Sequence, residues 1–137
     1  MTALSADRNT PQALGDVESH PVLAATKCFA GGIAVLDASG WAKPAVTATG
    51  LVCVGRFDEQ VDNTDGANGD LSVKVRRGVF RWANSAAADE ITAAEIGDDC
   101  YLVDDQTVAK TDGTGTRSVA GKVVQVDAQG VWVRMGL

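Results

Sequence analysis

The feature that most narrows what this chain can fold into is a cassette that recurs from its middle onward, a short β-branched run punctuated by glycine. Gly50-Leu51-Val52-Cys53-Val54-Gly55, Leu71-Ser72-Val73-Lys74-Val75, Gly78-Val79-Phe80-Arg81-Trp82, Val119-Ala120-Gly121-Lys122-Val123-Val124 and Gly130-Val131-Trp132-Val133-Arg134-Met135 all read this way. Valine and its like fit a pleated, half-buried surface, and Gly, Asp and Asn between the runs supply turns. No nucleophile, base or metal cluster sits beside them, so the pattern points to a scaffold or binding protein.

The strands can be followed along the chain. A strand over 22–29, the Gly31-Gly32 pair and Ile33-Ala34-Val35-Leu36 read as a hairpin. Pro44 demotes the Trp41 to Val46 segment to an edge strand or loop. The run from Leu51 to Phe57 has the character of a central strand. Leu71, Val73 and Val75 alternate with Ser72, Lys74 and Arg76, which predicts one dry face and one wet face. Gly78 breaks that phase and predicts a bulge or bend. Residues 84–96 are Ala-rich, and Thr92 and Glu95 have capping-box spacing before Gly97, so one short helical turn is expected. Strands resume at 100–103, 107–110 and 118–126, and Asp127-Ala128-Gln129-Gly130 turns the last of these into 131–135. Nine or ten short strands make a compact all-β sandwich or barrel with one short helix. The runs at 50–57 and 119–126 are each Val-rich with an internal glycine, a shared strand grammar and not a repeat.

Residues 1–21 have weak periodicity and two prolines, and read as an extended N-terminal arm before a β-rich domain over 22–137. Two readings stand for the arm: a disordered terminus, or a segment that orders against a neighbour through Leu4, Leu14 and Val17. The 137 residues suit one domain with a core of its own. With three Trp, three Phe and one Tyr the core is expected to be thin, so contacts between subunits can supply burial that a monomer lacks.

A net charge of −6 argues against broad nucleic-acid binding, which needs clustered cations on phosphates. Asp58, Glu59, Asp62, Asp65 and Asp70 form one acidic stretch, and Asp89, Glu90, Glu95, Asp98, Asp99, Asp104 and Asp105 another. Lys74, Arg76, Arg77 and Arg81 crowd between them. These blocks suit either packing against neighbouring copies or partners, or solvated turns around one basic strand. Phe80 and Trp82 beside the cations also raise base stacking, which the flanking acids oppose. Cys28, Cys53 and Cys100 are odd in number, widely spaced and in strand-like contexts, as expected of buried reduced thiols. The N-terminal stretch lacks the pattern of a signal peptide, and no segment approaches the roughly 20 apolar residues of a membrane span. A soluble protein made in a cytoplasm is expected.

The candidates for chemistry fall one by one. His20, the only histidine, has no activated nucleophile near it in sequence. Gly97-Asp98-Asp99 is a turn, for a chain this short has no room for a polymerase palm. The 62–70 loop has hard oxygen ligands, but Val61 falls at the first position of a calcium loop and no Glu closes it, leaving at most an incidental calcium site. Asp58/Glu59 and Asp104/Asp105 are adjacent pairs whose members face opposite sides of a strand, so neither is a glycosidase dyad. Small trimeric nucleotide hydrolases carry an Arg-Ser-Ser motif, whereas here Val119 follows Arg117-Ser118 and the only tyrosine, Tyr101, lies in a strand-like run. No enzyme, cofactor or resident metal is expected.

Read as a series, Ala30-Gly31-Gly32-Ile33-Ala34-Val35, Gly50-Leu51-Val52-Cys53-Val54-Gly55-Arg56, Gly69-Asp70-Leu71-Ser72-Val73-Lys74-Val75, Arg77-Gly78-Val79-Phe80, Ile96-Gly97-Asp98-Asp99-Cys100-Tyr101-Leu102 and Val119-Ala120-Gly121-Lys122-Val123 resembles the capsid decoration, or cement, proteins of tailed bacteriophages. The resemblance covers residues 22–137, and the acidic insert around 84–99 departs from it. It implies a β-rich homotrimer on the outer capsid surface of the virion, bound to the major capsid protein, stabilising the shell, and made in the bacterial host cytoplasm. From the charge balance and the lack of a long apolar span, no direct contact with nucleic acid or membrane is expected. Leu4, Arg8, Leu14, Val17, Lys74, Arg76, Arg77 and Arg81 are the expected contact residues. Two alternatives remain: a phage tail or baseplate β-module, and a small carbohydrate- or ligand-binding barrel using Trp41, Trp82 or Trp132.

Overall fold

The computed structural model describes residues 2–9 and 15–136. Its strands are β1 (Val17–Pro21), β2 (Thr26–Cys28), β3 (Ile33–Leu36), β4 (Ala42–Pro44), β5 (Val52–Phe57), β6 (Val61–Asn63), β7 (Ser72–Arg76), β8 (Gly78–Asn84), β9 (Asp99–Leu102), β10 (Thr107–Ala109), β11 (Val119–Asp127) and β12 (Gly130–Met135). A five-stranded sheet runs β1-β7-β5-β3-β4, a closed barrel runs β10-β8-β12-β11-β9, and β2 pairs with β6 as a ribbon. The all-β expectation holds, and the clearest central strand, β5, occupies the middle of its sheet.

Period-two alternation places the layers. Ile33 and Val35 of β3 join Cys53 in a core with the barrel's Leu102, Val108, Val123, Val131, Val133 and Met135. Ala34, between them, joins Val22, Cys28, Val54, Phe57, Val73 and Val75 in a second core beneath the ribbon. A strand covered on both faces must be apolar throughout, as β3 is, whereas β7 needs only one apolar face and reads exposed, buried, exposed, buried from Ser72 to Val75. Leu71, grouped with that dry face in the sequence, precedes β7 and is exposed.

Glycine is required where backbones come too close for a side chain. A Cβ on Gly55 would stand 2.2 Å from the Arg76 carbonyl oxygen, and one on Gly121 would stand 2.2 Å from that of Arg134. Both positions adjoin a shift of register, in the β3–β5 and β11–β9 pairs respectively. The two similar runs therefore share a physical device, a bulged strand with glycine against a neighbour's carbonyl.

Twelve strands form among the described residues where nine or ten were expected, and other features refine or differ from the sequence reading. The Gly31-Gly32 pair does not join a hairpin: β2 pairs with β6, and β3 with β4 and β5, so the glycines carry the chain from the ribbon into the sheet. The break expected at Gly78, at φ +155, is a bend and not a bulge, and it also carries the chain from the sheet into the barrel. The end of the expected arm, Val17–Pro21, is β1, in antiparallel register with β7 from Val17↔Arg76 to Pro21↔Ser72. The single helical turn resolves into two 3-10 turns, Ala87–Asp89 and Ala93–Glu95, the second with the expected Thr92 capping box.

Polar clamps hold the connections. Asn84 accepts from the Ile91 amide at 2.9 Å and donates to the Ile91 carbonyl at 2.8 Å, closing the first 3-10 segment over the barrel. The Ser118 hydroxyl donates to the Ala48 carbonyl at 2.7 Å and accepts from the Leu51 amide at 3.1 Å, fastening the β4–β5 connection to the barrel wall. The last hairpin turns where expected, with Asp127 accepting from the Gln129 and Gly130 amides.

Candidate interaction surface

The structure distributes the expected contact residues over several places. Residues 2–9 form no helix or strand and are exposed throughout, with Leu4 74% exposed and Arg8 among them. Leu14 lies outside the described residues. Val17 is partly exposed on β1 opposite Arg76. Lys74 and Arg76 share the β7 face turned away from the buried Val73 and Val75. Arg77 pairs with Glu18. Arg81 lies on β8, across the sheet-to-barrel break at Gly78. The basic cluster of the sequence is thus three separate sites.

Part of the charge complementarity is met inside the chain. Asp58 accepts from Arg56 at 3.0 Å and from Arg76 at 3.3 Å, and these bonds, that of Arg76 foremost, hold its carboxyl below the usual range. Glu59 accepts from the Lys74 backbone amide. The first acidic stretch folds back on the basic strand for two of its members and leaves the 62–70 loop outside that arrangement.

Where β5 approaches β8 and β12, arginines and aromatic rings interleave. The Arg56 guanidinium lies 4.9 Å from the centre of the Phe80 ring, and Phe80 meets Trp82 edge-on at 6.2 Å. Arg81 lies 5.7 Å from the Trp132 ring, its cross-strand neighbour. The Trp132 indole donates to Asp127 at 2.9 Å, and this bond leads those that hold the Asp127 carboxyl below its usual range. Each cation–π contact contributes on the order of 0.5–1 kcal/mol at an exposed site, and together they fix the orientation of both guanidinium groups. Arg56, Phe80, Arg81, Trp82 and Trp132, with Gly31 and Val79, border an open cleft of about 430 Å³. Trp82 Nε1 and Arg56 Nε are buried without a hydrogen-bond partner among the described residues. Sequence reasoning noted Phe80, Arg81 and Trp82 but missed Arg56 and the role of Trp132, because nothing local ties residue 56 to residue 80.

The other candidates have structural surroundings of their own. His20 Nε2 lies 3.9 Å from Glu18, at a small hollow lined by Leu36, Val54, Val75 and Arg77. The three cysteines are buried free thiols, and burial pushes Cys28 and Cys53 up to about 11 and Cys100 to about 12. In the 62–70 loop, Asp62 accepts from Thr64 and Asp70 from the Ala67 amide, while Asn63 donates to the Leu23 and Ala67 carbonyls. No group of three potential metal-binding residues is assembled among the described residues.

The tryptophans of the ligand-binding reading are largely occupied. Trp82 is 6% exposed and belongs to the barrel core, Trp132 is covered by Arg81, and Trp41 packs at Gly69. Phe80 lies under Arg56, so the Phe80/Trp82 pair is not an open stacking platform for bases. No helix among the described residues is long and apolar enough to cross a membrane.

No protein-family model matches the chain, and neither a curated protein nor a solved structure is significantly similar to it.

Proposed function

We propose that this chain is a noncatalytic decoration, or cement, protein of a tailed bacteriophage head, acting as a homotrimer that binds the major capsid protein on the outer surface of the shell and stabilises it. The observation that carries the reading is the use made of the glycines in the motif series. Gly55 and Gly121, each in a Val-Gly strand, fill bulges against a neighbouring carbonyl, and Gly78 marks the crossing from sheet to barrel. Three glycines of the series are therefore joints of the fold, while Gly31, Gly50 and Gly97 stand in open turns. The exposed 2–9 segment leading toward the edge strand β1 suits attachment across a lattice, where several weak contacts made together give avidity.

The test is sedimentation of the purified protein alone and with assembled heads lacking decoration, followed by cryo-electron microscopy of the pelleted particles. A trimer that co-sediments with heads and adds density to their outer surface is expected. A monomer that leaves the heads bare would sink the proposal, and density on the tail would move the protein to a tail or baseplate role.

A further inference from the structure

The inference here rests on the trimeric reading and names the surfaces that would make it. In a three-fold ring each contact is heterologous, so one patch of a copy meets a different patch of the next. A chain of net charge −6 repels its own copies at long range, and a contact that sets a cation against one of its many acids offsets that repulsion. Two places on the surface have complementary chemistry.

The first is the cleft around Arg81. Arg81 makes no salt bridge among the described residues, though its charge is the least of the causes that lower the nearby Asp127 carboxyl; its guanidinium is held over Trp132, which Asp127 in turn holds through the indole. A planar guanidinium already oriented against a ring loses little freedom on receiving a carboxylate, and arginine beside tryptophan is the composition of an interface hot spot. The second is the 62–70 loop. Asp62 is engaged by Thr64 and Asp70 by the Ala67 amide, and Asn63, 2% exposed, pins the loop to Leu23 and Ala67. Asp65 is exposed and has no hydrogen bond or ion pair among the described residues. The loop is thus a rigid mount for one uncommitted carboxylate.

One copy does not join its own two patches. The loop precedes the Ser72 end of β7, where Gly69 and Leu71 bond to Val22, whereas Arg81 lies beyond the Arg76 end, past Gly78. At roughly 3.3 Å per residue β7 alone sets these ends about 13 Å apart, before the further residues on either side. We infer that Asp65 of one copy inserts into the Arg81–Trp132 cleft of the next, and that repetition of this contact closes the ring.

A charge swap tests the pairing. Sedimentation equilibrium at ~150 mM salt, a condition that screens distant charges, would compare wild type, Arg81→Asp, Asp65→Arg and the double variant, with circular dichroism confirming the fold of each. Each single variant is expected to weaken association about 30-fold or more, and the double variant to recover most of it. Asp65→Arg lies on an exposed loop and keeps the test decisive if Arg81→Asp does not fold: an unweakened Asp65→Arg trimer overturns the pairing. Single variants as trimeric as wild type, or a double variant no better than the singles, also overturn it while leaving the trimer intact. A trimeric Arg81→Asp that no longer binds heads overturns it in favour of the cleft facing the capsid protein. A monomeric wild type removes the trimeric reading itself.

Discussion

The barrel and the five-stranded sheet treat their outermost strands in opposite ways. The barrel has no outer strand, because the parallel pairs Thr107↔Ala83 and Val108↔Asn84 join β10 to β8 and close the ring. The sheet ends in β4 and β1, which are joined only by the single parallel bridge Val22↔Ala42 and the Leu23 amide on the Ala42 carbonyl. β4 is three residues long and ends in Pro44, features that discourage further pairing, while β1 carries the polar Glu18, Ser19 and His20. The difference teaches where the molecule can be extended. The barrel closes its own hydrogen-bonded ring, whereas the sheet, which shares one of its two cores with the barrel, is joined end to end by a single bridge next to the N-terminal strand.

The glycine bulges offer the largest test of this contrast. Gly121→Ala and Gly55→Ala each place a methyl group against a backbone carbonyl, and each is expected to cost about 3 kcal/mol or more in denaturant unfolding. If the barrel is the self-sufficient unit, Gly55→Ala leaves barrel amides protected in hydrogen exchange, while Gly121→Ala exposes barrel and sheet together. Equal loss of protection in both variants would break the comparison. Gly97, also at positive φ but with open space around a would-be Cβ, serves as a control, at about 1–2 kcal/mol for Gly97→Ala.

Cavities come next. Leu102→Ala empties a fully buried site in the barrel and is expected to cost about 2–5 kcal/mol, against about 3–5 kcal/mol for Phe57→Ala beneath the ribbon. Measured by thermal unfolding, Phe57→Ala should lower the first transition of the sheet, whereas Leu102→Ala should lower every transition. Asn84→Ala removes both bonds to Ile91 and is expected to cost about 1–3 kcal/mol, read as faster exchange of the Ile91 amide.

Acid gives the smallest effect. Thr92, through its hydroxyl and its amide, and then Lys110 hold the Glu95 carboxyl down to about 2 from an ordinary 4.5. A depressed folded-state value means that the stabilisation is complete above about pH 4.5 and is lost as pH falls toward 2. Glu95→Gln should flatten that part of the acid titration of stability, which belongs to the barrel. In the sheet Asp58 is lowered by Arg76 and Arg56, so Asp58→Asn should flatten the profile below about pH 3.8, a range in which Glu95 also contributes. If the two changes do not add in the double variant, the two units do not titrate independently.

What could be read from the sequence was what neighbours in the chain decide. The Asp127 hairpin, the Thr92 capping box, the short Pro44 edge strand and the alternation of β7 each depend on a few consecutive residues. What could not be read was partnership. Gly31-Gly32 looks the same whether the strands around it pair with each other or with β6 and β5. Val17–Pro21 has little strand character of its own, and its pairing depends on β7, more than fifty residues away. The Arg56–Phe80 contact and the parallel closure of the barrel likewise join distant segments. The basic cluster was visible, but its dispersal follows from the change of sheet at Gly78.

The pairing of β1 with β7 also determines how the molecule bears load. Its hydrogen bonds lie across the strands, so tension drawn along β1 from residue 16 works on all five registered pairs at once, in shear. The same tension drawn sideways opens them one after another, like a zipper. A tether attached through this segment would hold firmly in one direction and peel readily in another, with rupture governed by the rate of unfolding and not by its equilibrium.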